Sequence, residues 1–382
     1  MYVKDDRSHL GRRLTTWRDL PRAQQPAWPD PLELRSVLSW LSRADPLVSP
    51  ADCDALFERM GAVARGEAFL LQGGPCAETF AEASAVGGTL RTLDQMATLL
   101  EYAGASPVVR VARLAGQYAK PRSSSVERIG GVEVPVYRGD AVNGVSLEDR
   151  LPDPRRLRMA YHTASSTLDI MRGSGFFTSH EGLLLDYEDA LTRGGYATSA
   201  HLLWIGERTR DLGGGHVGYF SSIRNPIAVK LGPTARPSDV VALADRLDPA
   251  RTAGRLTFIS RMGARKVRDV LPALVSAVPE AVWVCDPMHG NTFTSPDGYK
   301  TRSYDEVLDE VRGFFEVHRA LGTHAGGLHL ELTGDDVTEC LGAGVTDLSL
   351  RYQSACDPRL NRAQSLDLAF EVAALLRTPV LV

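Results

Sequence analysis

No apolar run in the 382 residues approaches the roughly 20 needed to span a bilayer. The opening, MYVKDDRSHLGRR, is polar with no hydrophobic signal core behind it, so the expectation is a chain that stays in the cytoplasm. Neither charge dominates: 43 Lys and Arg stand against 47 Asp and Glu, a formal net charge of −4. That balance supplies no sustained positive field, which argues against a nucleic-acid or acidic-membrane partner while leaving room for small anions to bind locally. Cysteine is scarce, and Cys53, Cys76, Cys285, Cys340 and Cys356 show no paired CxxC spacing. A zinc ribbon or redox motif is therefore excluded, and reduced thiols are expected, with metal ligation open. There is also no internal repeat, low-complexity tract or coiled-coil heptad.

What is present has a globular balance, 43% hydrophobic and 24% charged, enough for one large α/β domain or two ordinary ones. Residues 1–65 read as a short N-terminal extension: an extended, proline-bearing AQQPAWPDP, then the helix-like PLELRSVLSWLSRA and SPADCDALFERMGAVA, the latter starting at Ser49 and Pro50. From 66 to 382, short apolar runs recur as buried strands: AFLLQ (68–72), PVVRVAR (107–113), EGLLLDY (181–187), HLLWIG (201–206), PIAVKLG (226–232), RLTFISR (255–261), AVWVCDP (281–287) and GLHLEL (327–332). Amphipathic helices such as TLDQMATLLEYAG, PSDVVALADRL, KVRDVLPALVSAV and YDEVLDEVRGFFEVHRAL lie between several of them, and AQSLDLAFEVAALL follows the last. This alternation means a parallel sheet. Eight strands favour a (β/α)8 TIM barrel over a doubly wound open sheet, because Arg113, Glu207, Arg208, Lys230, Arg261, Asp286, His289 and Glu331 fall at or just past strand C-termini, which in a barrel form one active-site face.

Two chemistries are written at those ends. Arg113, Lys120, Arg122, Arg208, Lys230, Arg261 and Lys300 would crowd one mouth with cations, an arrangement suited to phosphates and carboxylates; any one of them alone reads equally as a solvated surface charge. Cys76, His289, Glu331 and Asp357 offer a thiol, an imidazole and two carboxylates, a set that suits a borderline divalent ion. Their spacing is no metal signature, and a lone cysteine after a strand also reads as a small core hydrophobe. GGGHVG (213–218) reads as a flexible loop, since it does not join a strand to a helix as a dinucleotide fingerprint does. Ser179, His180 and Glu181 are adjacent in TSHEG, alternate faces and form no hydrolase triad. His162, His201, His216, His318, His324 and His329 are read as core or surface residues.

Longer blocks carry a resemblance. QQPAWPD, FLLQGGPCAETF, RVARLAGQYAKPRS, YRGDAVNG, TSHEGLLLDYE, WIGERTR, RNPIAVKLGP, SRMGARKVRD, VCDPMHGNT, GYKTR, VRGFFEVHRALGTHAGGLHLELTGDDVTEC and RYQSACDPRLN, in this order from about residue 24 to the last helix, resemble the type II 3-deoxy-D-arabino-heptulosonate 7-phosphate (DAHP) synthases. The resemblance implies a (β/α)8 barrel with a divalent metal, manganese or cobalt first and zinc, iron or magnesium behind them, on Cys76, His289, Glu331 and Asp357. It implies that Arg113, Glu207, Arg208, Lys230 and Arg261 hold phosphoenolpyruvate. Lys120 would sit between the two substrates as a catalytic residue with Cys76 and His289, while Arg122, Ser123 and Lys300 take the phosphate of erythrose 4-phosphate. A homo-oligomer, dimer or tetramer, and a chorismate mutase partner are further implications.

Two departures from the family pattern stand out. Pro75 replaces the usual aspartate of GGDCAE, removing a carboxylate and a backbone N–H beside Cys76. The stretch from Ala160 to Glu181 is short where longer members carry helices linked to feedback by aromatic amino acids, so a short form resembling those of secondary-metabolite pathways is expected. An amino-DAHP synthase using a nitrogen-bearing sugar analogue is a competing reading, and a non-catalytic barrel that regulates a partner is another, favoured by Pro75 alone.

Overall fold

The computed structural model describes residues 16–81, 85–104 and 106–377. The polar opening that entered the cytoplasmic expectation lies outside the described residues, among which no helix is long and apolar enough to cross a membrane. Eight strands, β1 (Phe69–Gly74), β2 (Val108–Ala112), β3 (Phe177–Glu181), β4 (Leu202–Ile205), β5 (Ile227–Leu231), β6 (Leu256–Ser260), β7 (Val282–Cys285) and β8 (Gly327–Glu331), pair in parallel and close into a barrel, β1 bonding both β2 and β8. The outer helices include α3 (Val86–Gly104), α4 (Arg155–Met171), α7 (Pro237–Leu247), α8 (Val267–Ala277), α9 (Tyr304–Leu321) and α10 (Arg362–Arg377).

Strand alternation sorts the side chains into two cores. Outward residues such as Phe69, Leu71, Leu203, Val229, Phe258, Trp283 and Leu330 pack against the helix ring. Inward residues Leu70, Val109, Val111, Leu202, Trp204, Ala228, Ile259, Val282 and Val284 fill the barrel. Its N-terminal end is plugged by Leu56, Met60 and Val63 of α2 (Pro50–Ala64), whose start is capped by Ser49 accepting from Asp52 N at 3.1 Å behind Pro50. Helix α1 (Pro31–Leu41) packs on α4 and on α5 (Leu185–Ala190).

The same period of two carries polar residues to the opposite end: Gln72 after Leu70, Arg113 after Val111, Glu181 after Ser179, Lys230 after Ala228, Arg261 after Ile259, Asp286 after Val284 and Glu331 after His329.

Two local expectations are corrected. The third strand is Phe177–Glu181, so that of the run expected to be extended at 181–187 only Glu181 is in a strand, and Leu185–Tyr187 begin the helix α5. Leu183, Leu184 and Tyr187 are buried against α1 and α4 while Leu185 joins the core outside the barrel, and a continuous apolar run of that length fits helix or strand equally. The glycine-rich stretch expected to be a flexible loop contributes to α6 (Gly215–Phe220), all of whose residues are buried. Small residues are needed there because a Cβ at Gly218 would approach the backbone and side chain of Trp17.

Candidate active site

Four side chains from distant parts of the chain converge at the C-terminal mouth. Cys76 follows β1, Glu331 ends β8, His289 lies in the turn after β7 and Asp357 precedes α10. Cys76, Glu331 and Asp357 each place one potential ligand atom within 4.8 Å of the others. His289 Nε2 is 3.2 Å from Glu331 Oε1, while its Nδ1 is 2.8 Å from Asp286 Oδ2. Asp286 also accepts the backbone N–H groups of Met288 and His289, so the turn and the imidazole ring share one anchor. With Nδ1–H donated to Asp286, the Nε2 lone pair faces a carboxylate oxygen, an acceptor pair that a cation reconciles.

The Lys120 ammonium stands where such a cation belongs. Its Nζ lies 2.9 Å from Cys76 Sγ, 3.1 Å from Asp357 Oδ2 and 3.7 Å from Glu331 Oε1. Burial alone would raise the Glu331 carboxyl, but His289, Lys120 and Arg302 hold it well below its ordinary range. The Asp357 carboxyl is likewise raised by burial and pulled well below its range by Lys120. Burial, Cys356 and the two carboxylates push the Cys76 thiol up, so its ionisation calls for a stronger positive charge than one ammonium. A thiol, an imidazole with a carboxylate behind it and two carboxylates make a donor set that fits a borderline divalent ion.

Beside this group opens a cleft of about 570 Å³ lined by Lys120, Arg122, Ser123, Glu207, Arg208, Lys230, Arg261, His289, Lys300 and Asp357. The remaining expected residues, Cys76, Arg113 and Glu331, are buried beside it, Cys76 against Lys120 and Glu331 against His289, and Arg113 Nη2 donates to Glu331 Oε1 at 3.2 Å. All the residues singled out from the sequence are thus brought together. Arg208 donates to Ser123 Oγ at 2.9 Å, Arg261 to the His289 carbonyl at 2.9 Å, and Lys230 pairs with Asp286 at 2.8 Å. Lys300 pairs with Asp357. The Glu207 carboxylate is engaged with Gly232 N and Arg210, which fixes the turn after β5.

Three participants were not given a role from the sequence. Asp286, seen there only as a polar strand end, is the anchor of both His289 and Lys230. Arg302, two residues past Lys300, is fully buried and donates to Glu331 Oε2 at 2.7 Å. Glu181 lines the cleft, its Oε1 is buried with no hydrogen-bond partner among the described residues, and burial raises its pKa against the pull of Lys230 and Lys120. Room for that carboxylate depends on Gly206, where an added Cβ would fall 2.1 Å from Oε1. Pro75 instead faces a small separate cavity shared with Glu78, Tyr118 and Thr167.

The family model described as the class-II DAHP synthetase family matches residues 12–175 and 171–373. A phospho-2-dehydro-3-deoxyheptonate aldolase of Streptomyces coelicolor is 49% identical over 435 positions, covering 95% of this chain and 97% of its own. The aldolase AroG of Mycolicibacterium smegmatis is 44% identical over 446 positions, covering 96% and 95%. The solved structure of the Francisella tularensis SCHU S4 aldolase superposes with a TM-score of 0.56 at 16% identity, over 91% of this chain and 97% of that one, a likeness of fold. The 435 positions draw on 95% of 382 residues, about 363, so about 70 of them have no counterpart here. The two family segments meet at 171–175, between α4 and β3, where the chain was expected to be short. Matched along nearly its whole length, the chain belongs to the class-II DAHP synthetase family.

Proposed function

We infer that this chain is a DAHP synthase, catalysing the first step of the shikimate pathway: phosphoenolpyruvate and erythrose 4-phosphate condense to DAHP and inorganic phosphate. The observation that carries the reading is the convergence, at one barrel mouth, of a metal-type ligand group and a ring of guanidinium and ammonium groups. Every position that the chemistry needs holds a competent side chain, which disfavours a barrel kept only to regulate a partner.

Cys76, His289, Glu331 and Asp357 would hold the divalent ion, with manganese or cobalt as the best match to their mixed softness. When bound, the ion supplies Lewis acidity to the sugar aldehyde. Arg113, Arg208, Lys230 and Arg261 offset the carboxylate and phosphate of phosphoenolpyruvate, a task suited to rigid forks and one ammonium. Lys120 lies between the two substrates, and Arg122, Ser123 and Lys300 receive the sugar phosphate.

The C3 carbon of phosphoenolpyruvate forms a bond to the aldehyde carbon, whose oxygen becomes a hydroxyl. Water adds at C2, the bond from C2 to the phosphate-bridging oxygen breaks, and phosphate leaves. The water oxygen ends as the C2 ketone; its two protons balance the new hydroxyl and the departing phosphate. Glu181, whose side chain lines the cleft, takes the first of these protons. Holding two like-charged substrates in attack geometry is the larger share of the work, worth up to about 7–11 kcal/mol.

The test is purified, metal-loaded protein with both sugars in parallel, erythrose 4-phosphate and its amino analogue. Loss of phosphoenolpyruvate absorbance with equimolar phosphate release in the first arm is the expected result. Consumption with the amino analogue alone would move the chain to the amino-sugar branch.

Control by aromatic amino acids is expected to be absent. Helix α4 ends at Met171 and β3 begins at Phe177, which leaves no space for an added helical pair, and a missing site contributes none of the about 1–3 kcal/mol that allosteric coupling requires. Initial rates at subsaturating substrates should be unchanged by phenylalanine, tyrosine or tryptophan, alone or in pairs. Inhibition at micromolar concentrations would overturn this expectation.

A further inference from the structure

The N-terminal arm preceding α1 carries the motif QQPAWPD, whose part in the function is not explained by the barrel itself. Gln24 in it is one of few non-glycine residues at positive φ among the described residues, at 60°. A strained backbone of this kind persists where its surroundings over-determine it, and such residues gather at functional sites. The surroundings here are specific. Gln24 Oε1 accepts from Arg122 N at 2.9 Å and Gln24 Nε2 donates to Arg122 O at 3.2 Å, so one side-chain amide grips both backbone polar groups of a single residue. The Gln24 carbonyl in turn accepts from Arg138 Nη2.

The gripped residue sits at the sugar end of the cleft. Ser123, next in sequence, accepts from Arg208, and Lys120 N bonds the Arg138 carbonyl, so the 120–123 segment lies between the arm on one side and the 138 region on the other. Burial and the facing Arg122 guanidinium both disfavour the charged form of Arg138. Two like charges close together will splay unless their backbones are fixed, and Gln24 is attached to both. The arm itself is well anchored: Trp17 is buried against Tyr219, Arg18 and Arg22 pair with Asp189 and Asp186, and Gln25 holds Leu183 O and Leu185 N.

We propose that Gln24 is a positioning residue for the sugar phosphate, fixing the backbone of Arg122 so that its guanidinium and the Ser123 hydroxyl face one anion. The proposal rests on the reading that Arg122 and Ser123 receive that phosphate. It follows that the arm preceding the barrel is a working part of the active site, acting on one substrate and not the other.

The test compares Gln24→Gly, Gln24→Glu and Arg122→Ala in the full chain, with the KM of each substrate, kcat and the thermal midpoint as readouts. Glycine accepts the positive φ and keeps the carbonyl contact to Arg138 while deleting the amide grip. Its expected effect is a rise of tenfold or more in the KM for erythrose 4-phosphate, with the phosphoenolpyruvate KM within twofold of the parent. Glutamate keeps the acceptor, loses the donor and places a carboxylate beside both guanidinium groups, so the sugar-phosphate KM should rise at least as far. Equal changes in both KM values, or a lowered thermal midpoint with neither KM altered, would overturn the proposal, as would an unchanged sugar-phosphate KM in either Gln24 variant. Should Arg122→Ala leave that KM unchanged, the assignment of the phosphate subsite fails, a different outcome from failure of the Gln24 grip.

Discussion

Cys76→Ala should lose its metal and more than 99% of the condensation rate while remaining folded. Removing one of four ligands takes away the single soft donor and leaves Lys120 facing two carboxylates, a geometry that an ammonium already satisfies and that then competes with the ion. Losses of 10–100-fold are typical for groups merely behind a ligand, so deleting a ligand itself should exceed them. The thiol is small and 1% exposed, so its removal should cost about 1 kcal/mol of stability, far too little to unfold a barrel of this size. Elemental analysis after gel filtration, paired with a thermal melt, separates the two effects. A variant with one equivalent of metal and the parent rate would remove Cys76 from the ligand set. His289→Ala should behave alike, with the added consequence that Asp286 loses the imidazole and is left, among the described residues, with Lys230 as its side-chain partner.

Glu181→Gln should lower kcat by about 100-fold or more and leave both KM values within a few-fold, because the substitution preserves shape and removes the proton acceptor. Burial lifts the Glu181 carboxyl above its ordinary 4.5 against the opposing pull of Lys230, Lys120, His289 and Arg113. As a base it must be ionised, so the rate of the parent should fall as the pH drops through that raised value. The glutamine variant should lack this acid limb. A kcat within twofold of the parent at all pH values would show that water is activated by another group.

The same residue marks the limit of what the sequence made legible. Strand-length apolar runs and the polar residues closing them placed seven of eight strands, and with them Arg113, Lys230, Arg261 and Glu331. The eighth was set too late: the run after Glu181 is as apolar as a strand but packs as α5, so Glu181 was read as a strand start instead of the mouth-facing end. Shifting an element by a few residues moves every assignment of face and end with it. The ligand quartet was legible by chemistry and not by spacing, since Cys76 and Asp357 are 281 positions apart and only barrel closure brings Sγ and Oδ2 to 3.3 Å. Arg302 escaped notice, and Asp286 was seen only as a polar strand end, because a buried charge bonded to another buried charge looks, in sequence, like any surface residue. Gln24 is harder still, its role residing in a positive φ and two bonds to another residue's backbone.

The most direct measurement is the condensation rate of one preparation followed through removal and return of metal. Chelated, desalted protein should consume no phosphoenolpyruvate in the presence of erythrose 4-phosphate, and one equivalent of manganese or cobalt per chain should restore phosphate release together with formation of the seven-carbon keto-sugar acid. Full turnover in protein shown by elemental analysis to be metal-free, or none with any divalent ion, would contradict the account.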